Sequence, residues 1–340
     1  MAHADTAEPG RTAERDGAPE QGEASPMTLE TAKQTLRILD AHHHFWDLEG
    51  AGHYPWLQDE YNEQFFLGDY RPMRATFLPE QYRAVTTGWN VLGTVHCEAE
   101  RSRGEQIAED DFLQGLHEDD SRFPLAVVGH VDFRQDDLDE VLAAHSRRPL
   151  VRGIRSKPII AARRGESVRD QPGSLQDPSW REGLSRLVDL DYSWDLRVPY
   201  YHLSEAAELI SGVDGLRVVL NHCGLPLDRD PQSMTVWRQG MNDLASLPGI
   251  TVKVSELGLY PNRWDATSNA DVVREVVEIF GFDRSMFASN LPVATLTAPD
   301  VDAVMQSVLD GVAGASADQL DSLFCGTAQR AYRIDAALLD

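Results

Sequence analysis

Eight short runs rich in β-branched and apolar residues alternate with longer amphipathic runs. That alternation constrains the fold more than any other feature of the chain. The short runs are Ile38–His42, Val91–Glu98, Leu125–Val131, Leu150–Ser156, Tyr192–Val198, Leu216–His222, Ile250–Ser255 and Met286–Ser289. Several are almost continuously apolar, as parallel strands buried on both faces must be. Between them the pattern predicts helices over Pro79–Thr87, Arg103–Asp120, Asp136–His145, Pro178–Leu190, Ser204–Ser211, Ser233–Leu247, Asn269–Phe280 and Asp300–Val312. Ser204, followed by Glu205 and Glu208, reads as a helix start with a capping hydroxyl and early acids. Eight strands with crossover helices predict an α/β fold, a (β/α)8 TIM barrel. The alternative is an open doubly wound sheet. No Gly-x-Gly-x-x-Gly follows a strand to open a helix, which removes the commonest nucleotide-binding form of that alternative.

Residues 1–35 contain few large apolar side chains and are read as a disordered acidic leader. Residues 36–340 are read as one barrel domain, a length such barrels commonly occupy. Over the 340 residues, 55 acids outnumber 31 Lys and Arg, for a net charge of −24. So acidic a chain lacks the positive footprint that nucleic acid or an anionic membrane requires, so neither is an expected partner. No apolar run reaches a membrane span and the N-terminus has no apolar signal core. Cys97, Cys223 and Cys325 are widely spaced and form neither a CxxC pair nor a disulfide framework. Free thiols and a cytoplasmic location are therefore expected.

The active site of such a barrel lies at the C-terminal ends of its strands, which directs the search there. The first run ends Asp40-Ala41-His42-His43-His44-Phe45-Trp46. Strand alternation puts His42 and His44 on one face, where two imidazoles can share a divalent cation. The sixth run ends Asn221-His222-Cys223-Gly224, adding a third imidazole. Cys223 has no basic or CxxC partner and reads as a buried small thiol. The eighth run ends Ala288-Ser289-Asn290-Leu291-Pro292.

Taken in order, DxHxH, NHCG and FASNLP resemble the amidohydrolase-2 family of the amidohydrolase superfamily. The likeness is to the group with sugar-acid lactonases and 2-pyrone-4,6-dicarboxylate lactonase. The phrases HHHFWD, YPWL, VRGIRSKP and GTAQRAYRI fit the same group, and the resemblance spans about Ile38 to Ile334. It implies a distorted barrel that hydrolyses an ester-like or amide bond. By this resemblance His42, His44, His222 and Asn290 are the metal-site positions, with one divalent ion, Zn or Mn. Asn290 stands where the family usually has an aspartate that ligates metal and acts as general base. Its amide cannot take a proton at any relevant pH. A Ser-Asn-x-Pro version occurs in one branch of the family. The fourth run lacks the superfamily's bridging lysine and the fifth lacks its histidine, so at most one metal is expected, and a metal-free mode exists in the lactonase group.

With Asn290 unable to act as base, Glu98, His96 and Glu256 are the candidates for proton transfer, alongside His222 and Asn290 as catalytic positions. Asp195 is a weaker candidate, and His130 and Tyr200–His202 are placed at the rim. Between Arg147 and Arg169 eight basic residues accompany one acid, Glu166, inverting the local charge. Guanidinium binds carboxylate bidentately, so Arg152 and Arg155 are expected to hold a substrate anion. Trp46 is expected to wall the pocket, with Tyr54, Trp56 and Trp264. The expected partner is a small anionic organic substrate, and a homo-oligomer is compatible with the chain. The expected reaction is hydrolysis of a small anionic lactone. Two other readings remain: a metal-dependent non-oxidative decarboxylase, and a non-catalytic ligand-binding barrel that has lost its base at Asn290.

Overall fold

In the computed structural model, which describes residues 1–2, 27–59 and 61–339, all eight expected strands are present. They are β1 (Ile38–His43), β2 (Val91–Cys97), β3 (Ala126–Gly129), β4 (Val151–Ile154), β5 (Ser193–Leu196), β6 (Arg217–Leu220), β7 (Ile250–Val254) and β8 (Ser285–Phe287). The strands pair in chain order, each parallel to the next. The barrel closes just past β8. His44 N donates to Leu291 O and Asn290 N donates to His42 O, both at 2.8 Å.

Asp40 reinforces that seam. Its carboxylate accepts from Ser289 N at 2.8 Å, Ser289 Oγ at 2.5 Å, Tyr82 OH at 2.7 Å and His42 N at 3.2 Å. The aspartate of the DxHxH motif is thus a structural clamp that fixes where β1 and the β8 turn present their side chains.

Two apolar layers surround the strands. Inside the barrel Leu39, Val95, Val128, Val219 and Met286 pack on Tyr332, which enters from the C-terminal helix Thr327–Tyr332. Outside, Trp180, Leu184, Trp237, Val272 and Val308 seat the crossover helices. The helices begin where their caps dictate. Asp177 accepts from Ser179 N ahead of Pro178, and Asp230 accepts from Gln232 N and Ser233 N ahead of Pro231. No helix among the described residues is long and apolar enough to cross a membrane.

Two expectations are corrected. The domain starts before residue 36, because Leu29–Thr35 is a helix capped by Thr28, with Ala32 buried and Lys33 Nζ 2.6 Å from Asp302. One small residue and two flanking leucines suffice to dock this turn, too little for composition to signal. Residues 3–26 of the expected leader lie outside the described residues. Ser204 does not cap its helix. The helix Leu203–Ile210 starts one residue earlier, with His202 in the cap position, and Ser204 Oγ donates to Asp243 at 2.6 Å.

Candidate active site

The mouth of the barrel holds a cavity of about 410 Å³. Its floor and sides come from strand ends: His44 after β1, Glu98 after β2, Arg155 and Lys157 after β4, Arg197 after β5. His222, Glu256 and Asn290 follow β6, β7 and β8. The long segment after β1 supplies the outer wall with Trp56, Phe65, Phe66 and Tyr70.

Backbone conformation turns three of these side chains inward. His222, Glu256 and Asn290 have φ of 58°, 51° and 55°. Left-handed backbone at a non-glycine residue is uncommon and costs roughly 1–3 kcal/mol when held in place. Its recurrence at three successive strand ends marks this rim as the place where the fold tolerates strain to aim side chains.

Glu256 is the group best suited to proton transfer. It is buried, and burial pushes its carboxyl up to about 7, with Arg197 and the Asn290 hydrogen bond partly opposing. Asn290 Nδ2 donates to Glu256 Oε2, leaving Oε1 without a partner among the described residues. Glu98 is different. Burial alone would raise it, but Arg155 and Lys157 outweigh that and hold it well below the usual carboxylate range. Arg155 Nε donates to Glu98 Oε1 and Arg155 Nη2 to Glu98 O, each at 2.6 Å, and Lys157 Nζ is 2.9 Å from Oε1. Glu98 is a fixed counter-ion and a poor base at neutral pH.

Arg197, which the sequence reading did not single out, is the cation left over. Burial and then Arg155 press its guanidinium down to about 10. Its charge lies 5.2 Å from the Phe66 ring centre, and no carboxylate among the described residues pairs with it within 4.0 Å. A guanidinium at the end of an otherwise apolar strand was the available signal.

Several expected residues sit elsewhere. His96 is buried away from the cavity: its Nδ1 accepts from Phe45 N at 3.1 Å and its Nε2 is 3.5 Å from Glu109. It belongs to β2 proper, whereas Glu98 lies past the strand end, so alternation no longer relates the two. Arg152 lies near the start of β4, at the wrong end for the mouth, and Arg152 Nη1 donates to Val151 O at 3.2 Å. Trp46 is fully buried behind the site, donating to Ala75 O at 2.7 Å and stacking on His44. It supports the wall that Trp56 forms. His130 is not among the cavity-lining residues: its Nδ1 is bonded to Arg155 O at 2.9 Å, and its Nε2 has no partner among the described residues. His202 Nε2 accepts from Ala161 N at 2.9 Å. Burial pushes the Cys223 thiol up to about 12, so it is no thiolate nucleophile.

The histidines do converge. His42 Nε2 lies 3.3 Å from His44 Nε2, and the His42 and His222 ring centres are 4.6 Å apart. Burial, with Lys253 and Arg155 nearby, holds all three imidazoles well below their ordinary pKa, so each is neutral at pH 7. His44 Nδ1 donates to Cys97 O at 2.7 Å and His222 Nδ1 contacts Ser255 Oγ at 2.9 Å, so both leave Nε2 for the cavity. His42 is different, because its Nδ1 faces the Lys253 ammonium at 3.1 Å. A metal ligand bound through Nε2 normally carries its proton on Nδ1 and donates it outward. At His42 that outward neighbour is itself a donor. His42, His44, His222 and Asn290 thus converge on one mouth, although no arrangement of three or more His, Cys, Asp or Glu with metal-binding geometry occurs among the described residues.

The amidohydrolase family pattern matches residues 39–334. The chain is 32% identical over 299 residues to an uncharacterised protein of Sinorhizobium fredii, covering 88% of this chain and 99% of that one. It is 27% identical over 310 residues to an L-fucono-1,5-lactonase of Burkholderia multivorans, covering 88% and 96%. Among solved structures, an amidohydrolase from Burkholderia multivorans with bound zinc superposes with a TM-score of 0.71 at 25% identity, covering 88% of this chain and 100% of that one.

Proposed function

The chain belongs to the amidohydrolase family, and from that membership we propose that it hydrolyses a small carboxylated lactone at the C-terminal mouth of the barrel. The observation that carries this reading is the pairing, in one cavity, of an unpaired guanidinium with a carboxyl poised near neutrality: Arg197 and Glu256. The likeness to L-fucono-1,5-lactonase supports a cyclic ester as the reacting group. Arg197 supplies what a neutral sugar lactone does not need, a site for an anion.

Glu256 takes a proton from water through its free Oε1 as the water oxygen attacks the ring carbonyl. Asn290 holds the other carboxylate oxygen and so fixes which one faces the water. With Ser255 donating to Nδ1, His222 turns an Nε2–H toward the cavity, where it steadies the developing oxyanion. Collapse of the tetrahedral species breaks the bond to the ring oxygen. Glu256 returns its proton there, giving the open hydroxy acid. The paired arginine Arg155 stays bound to Glu98, and the aromatic wall lines the outer side of the cavity.

The test is a panel of lactones with and without carboxylate substituents, followed by proton release. Turnover of carboxylated members, lost in Glu256→Gln and in His222→Ala, is the expected result. Release of carbon dioxide from an acyclic or aromatic acid would replace the reading with decarboxylation. Ligands bound but never consumed would replace it with a binding barrel.

A further inference from the structure

Lys253 lies near the C-terminal end of β7 with no exposed surface, against His42. A buried ammonium must be paired and hydrogen-bonded to persist. Lys253 Nζ donates to Asp195 Oδ1 at 2.7 Å and contacts His42 Nδ1 at 3.1 Å. The same Asp195 oxygen accepts from Tyr332 OH at 2.9 Å and Asn221 Nδ2 at 3.0 Å. Asp195 is thus ringed by donors, and its counter-ion is Lys253.

An ammonium has three donors and no acceptor. At the His42 contact Lys253 therefore donates and Nδ1 accepts. A neutral imidazole that accepts at Nδ1 carries its proton on Nε2. That proton points at His44 Nε2, 3.3 Å away, which is bare because His44 spends its own proton on Cys97 O. The direction of every bond follows from the first: Lys253 to His42, His42 to His44, His44 to Cys97 O.

We infer that Lys253 is a positioning residue that locks His42 in its Nε2–H form, making the His42–His44 pair a directed hydrogen-bond relay and not a cation cage. The spacing of the two Nε2 atoms suits a shared divalent ion, but the tautomer does not. Ligation through His42 Nε2 would place an Nδ1–H against the Lys253 ammonium. The inference concerns tautomer and donor direction at constant charge, and it holds whatever the substrate.

Long-range proton–nitrogen correlation spectra of the full chain, labelled with 15N at histidine and stripped of metal, read the tautomer directly. His42 is expected to carry its proton on Nε2, and a proton on Nδ1 overturns the inference. Zinc titration by calorimetry gives a second readout. Lys253→Met removes the opposing donor and is expected to bind zinc about tenfold more tightly than the wild type, the scale on which outer partners of a ligating histidine act. Equal affinity in the two proteins, or a wild type whose zinc is held through His42, overturns it. Where Lys253→Met fails to fold, the doubly neutralised Lys253→Met, Asp195→Asn protein takes its place, and the wild-type spectrum decides by itself. None of these readouts needs turnover of a lactone, so failure of the lactonase reading leaves them unaffected.

Discussion

The side-chain amide of Asn290 donates to Glu256 Oε2, so the residue in the turn after β8 serves a carboxylate in place of being one. In the proposed reaction the base lies one strand along the barrel, after β7 in place of β8, and the amide is matched to it. An aspartate at 290 would set two carboxylates against each other.

That relationship makes Asn290→Asp harmful where a simple restoration of the family's aspartate would predict a gain. Two carboxylates in contact cannot both ionise easily, and one is forced upward. The acid limb of the rate profile is expected to move up by about one unit or more, with lower turnover at pH 7. A pH series on the purified variant checks this, and higher turnover at pH 7 would count against Glu256 as the base.

Glu256 must be ionised to accept a proton, and burial pushes its carboxyl up to about 7. Activity of the wild type is therefore expected to rise with pH through about 7 and level off above it. Below that value the base is protonated and idle. Glu256→Gln should lose about 10²–10⁴-fold of turnover on the plateau above pH 7, the usual share of a positioned base, and its residual activity should lack the acid limb. An unchanged acid limb in the residual activity would assign the titration to another group.

The same group carries a stability cost with a defined sign. A carboxyl whose folded pKa is raised contributes stability that is full below its ordinary value near 4.5 and is lost as pH rises through about 7. Glu256→Gln has no such loss. Its advantage over the wild type in chemical denaturation should grow by about 2 kcal/mol between pH 5 and pH 8. A variant less stable than the wild type at pH 8 would contradict the buried, ionised carboxylate.

The strands were legible because burial on both faces leaves an apolar run that survives any detail of packing. The positions of His44, His222, Glu256 and Asn290 were legible for a related reason, since each follows directly on such a run and the barrel brings all strand ends to one mouth. What escaped depends on partners far along the chain. Lys253 interrupts an apolar run in a way that reads as a solvent-facing residue, and its meaning rests on Asp195, 58 residues earlier. Arg152 and Arg155 look alike in a basic stretch, yet only Arg155 lies past the strand end. His96 and Glu98 both stand near the end of an apolar run, yet β2 runs to Cys97 and only Glu98 lies past it at the mouth. Trp56 is expected in the pocket wall, but its neighbours there, Phe65, Phe66 and Tyr70, come from a long connection with no periodicity to read.

Arg197 gives the anion site a separable test. Arg197→Met keeps much of the contact with Phe66 but removes the charge. A hydrogen bond to a charged group contributes about 1.5–3 kcal/mol, so KM for a carboxylated lactone should rise about tenfold to a hundredfold. The value of kcat should change little, and neutral lactones should show no change in KM. Steady-state kinetics on a matched pair of carboxylated and neutral substrates reads both effects. A uniform loss on both substrates would make Arg197 structural.

Asp40 is the residue on which the site geometry hangs. It joins Ser289 to β1 and to Tyr82, and Asn290 is the next residue along. Burial raises the Asp40 carboxyl, and the bonds from Ser289, Tyr82 and His42 work against that. Asp40→Ala strands these donors in a dry interior, and leaving buried partners unpaired is expensive. The expected cost is about 3–5 kcal/mol in urea unfolding, with the slope unchanged. Tyr82→Phe removes a single donor and should cost only about 1 kcal/mol. If Asp40→Ala is no worse than Tyr82→Phe, the seam between β1 and β8 is held by its backbone bonds alone, at His44 N to Leu291 O and Asn290 N to His42 O. If it is several-fold worse, the aspartate of the motif earns its place by building the barrel mouth, and Glu256 and His222 depend on it through the fold.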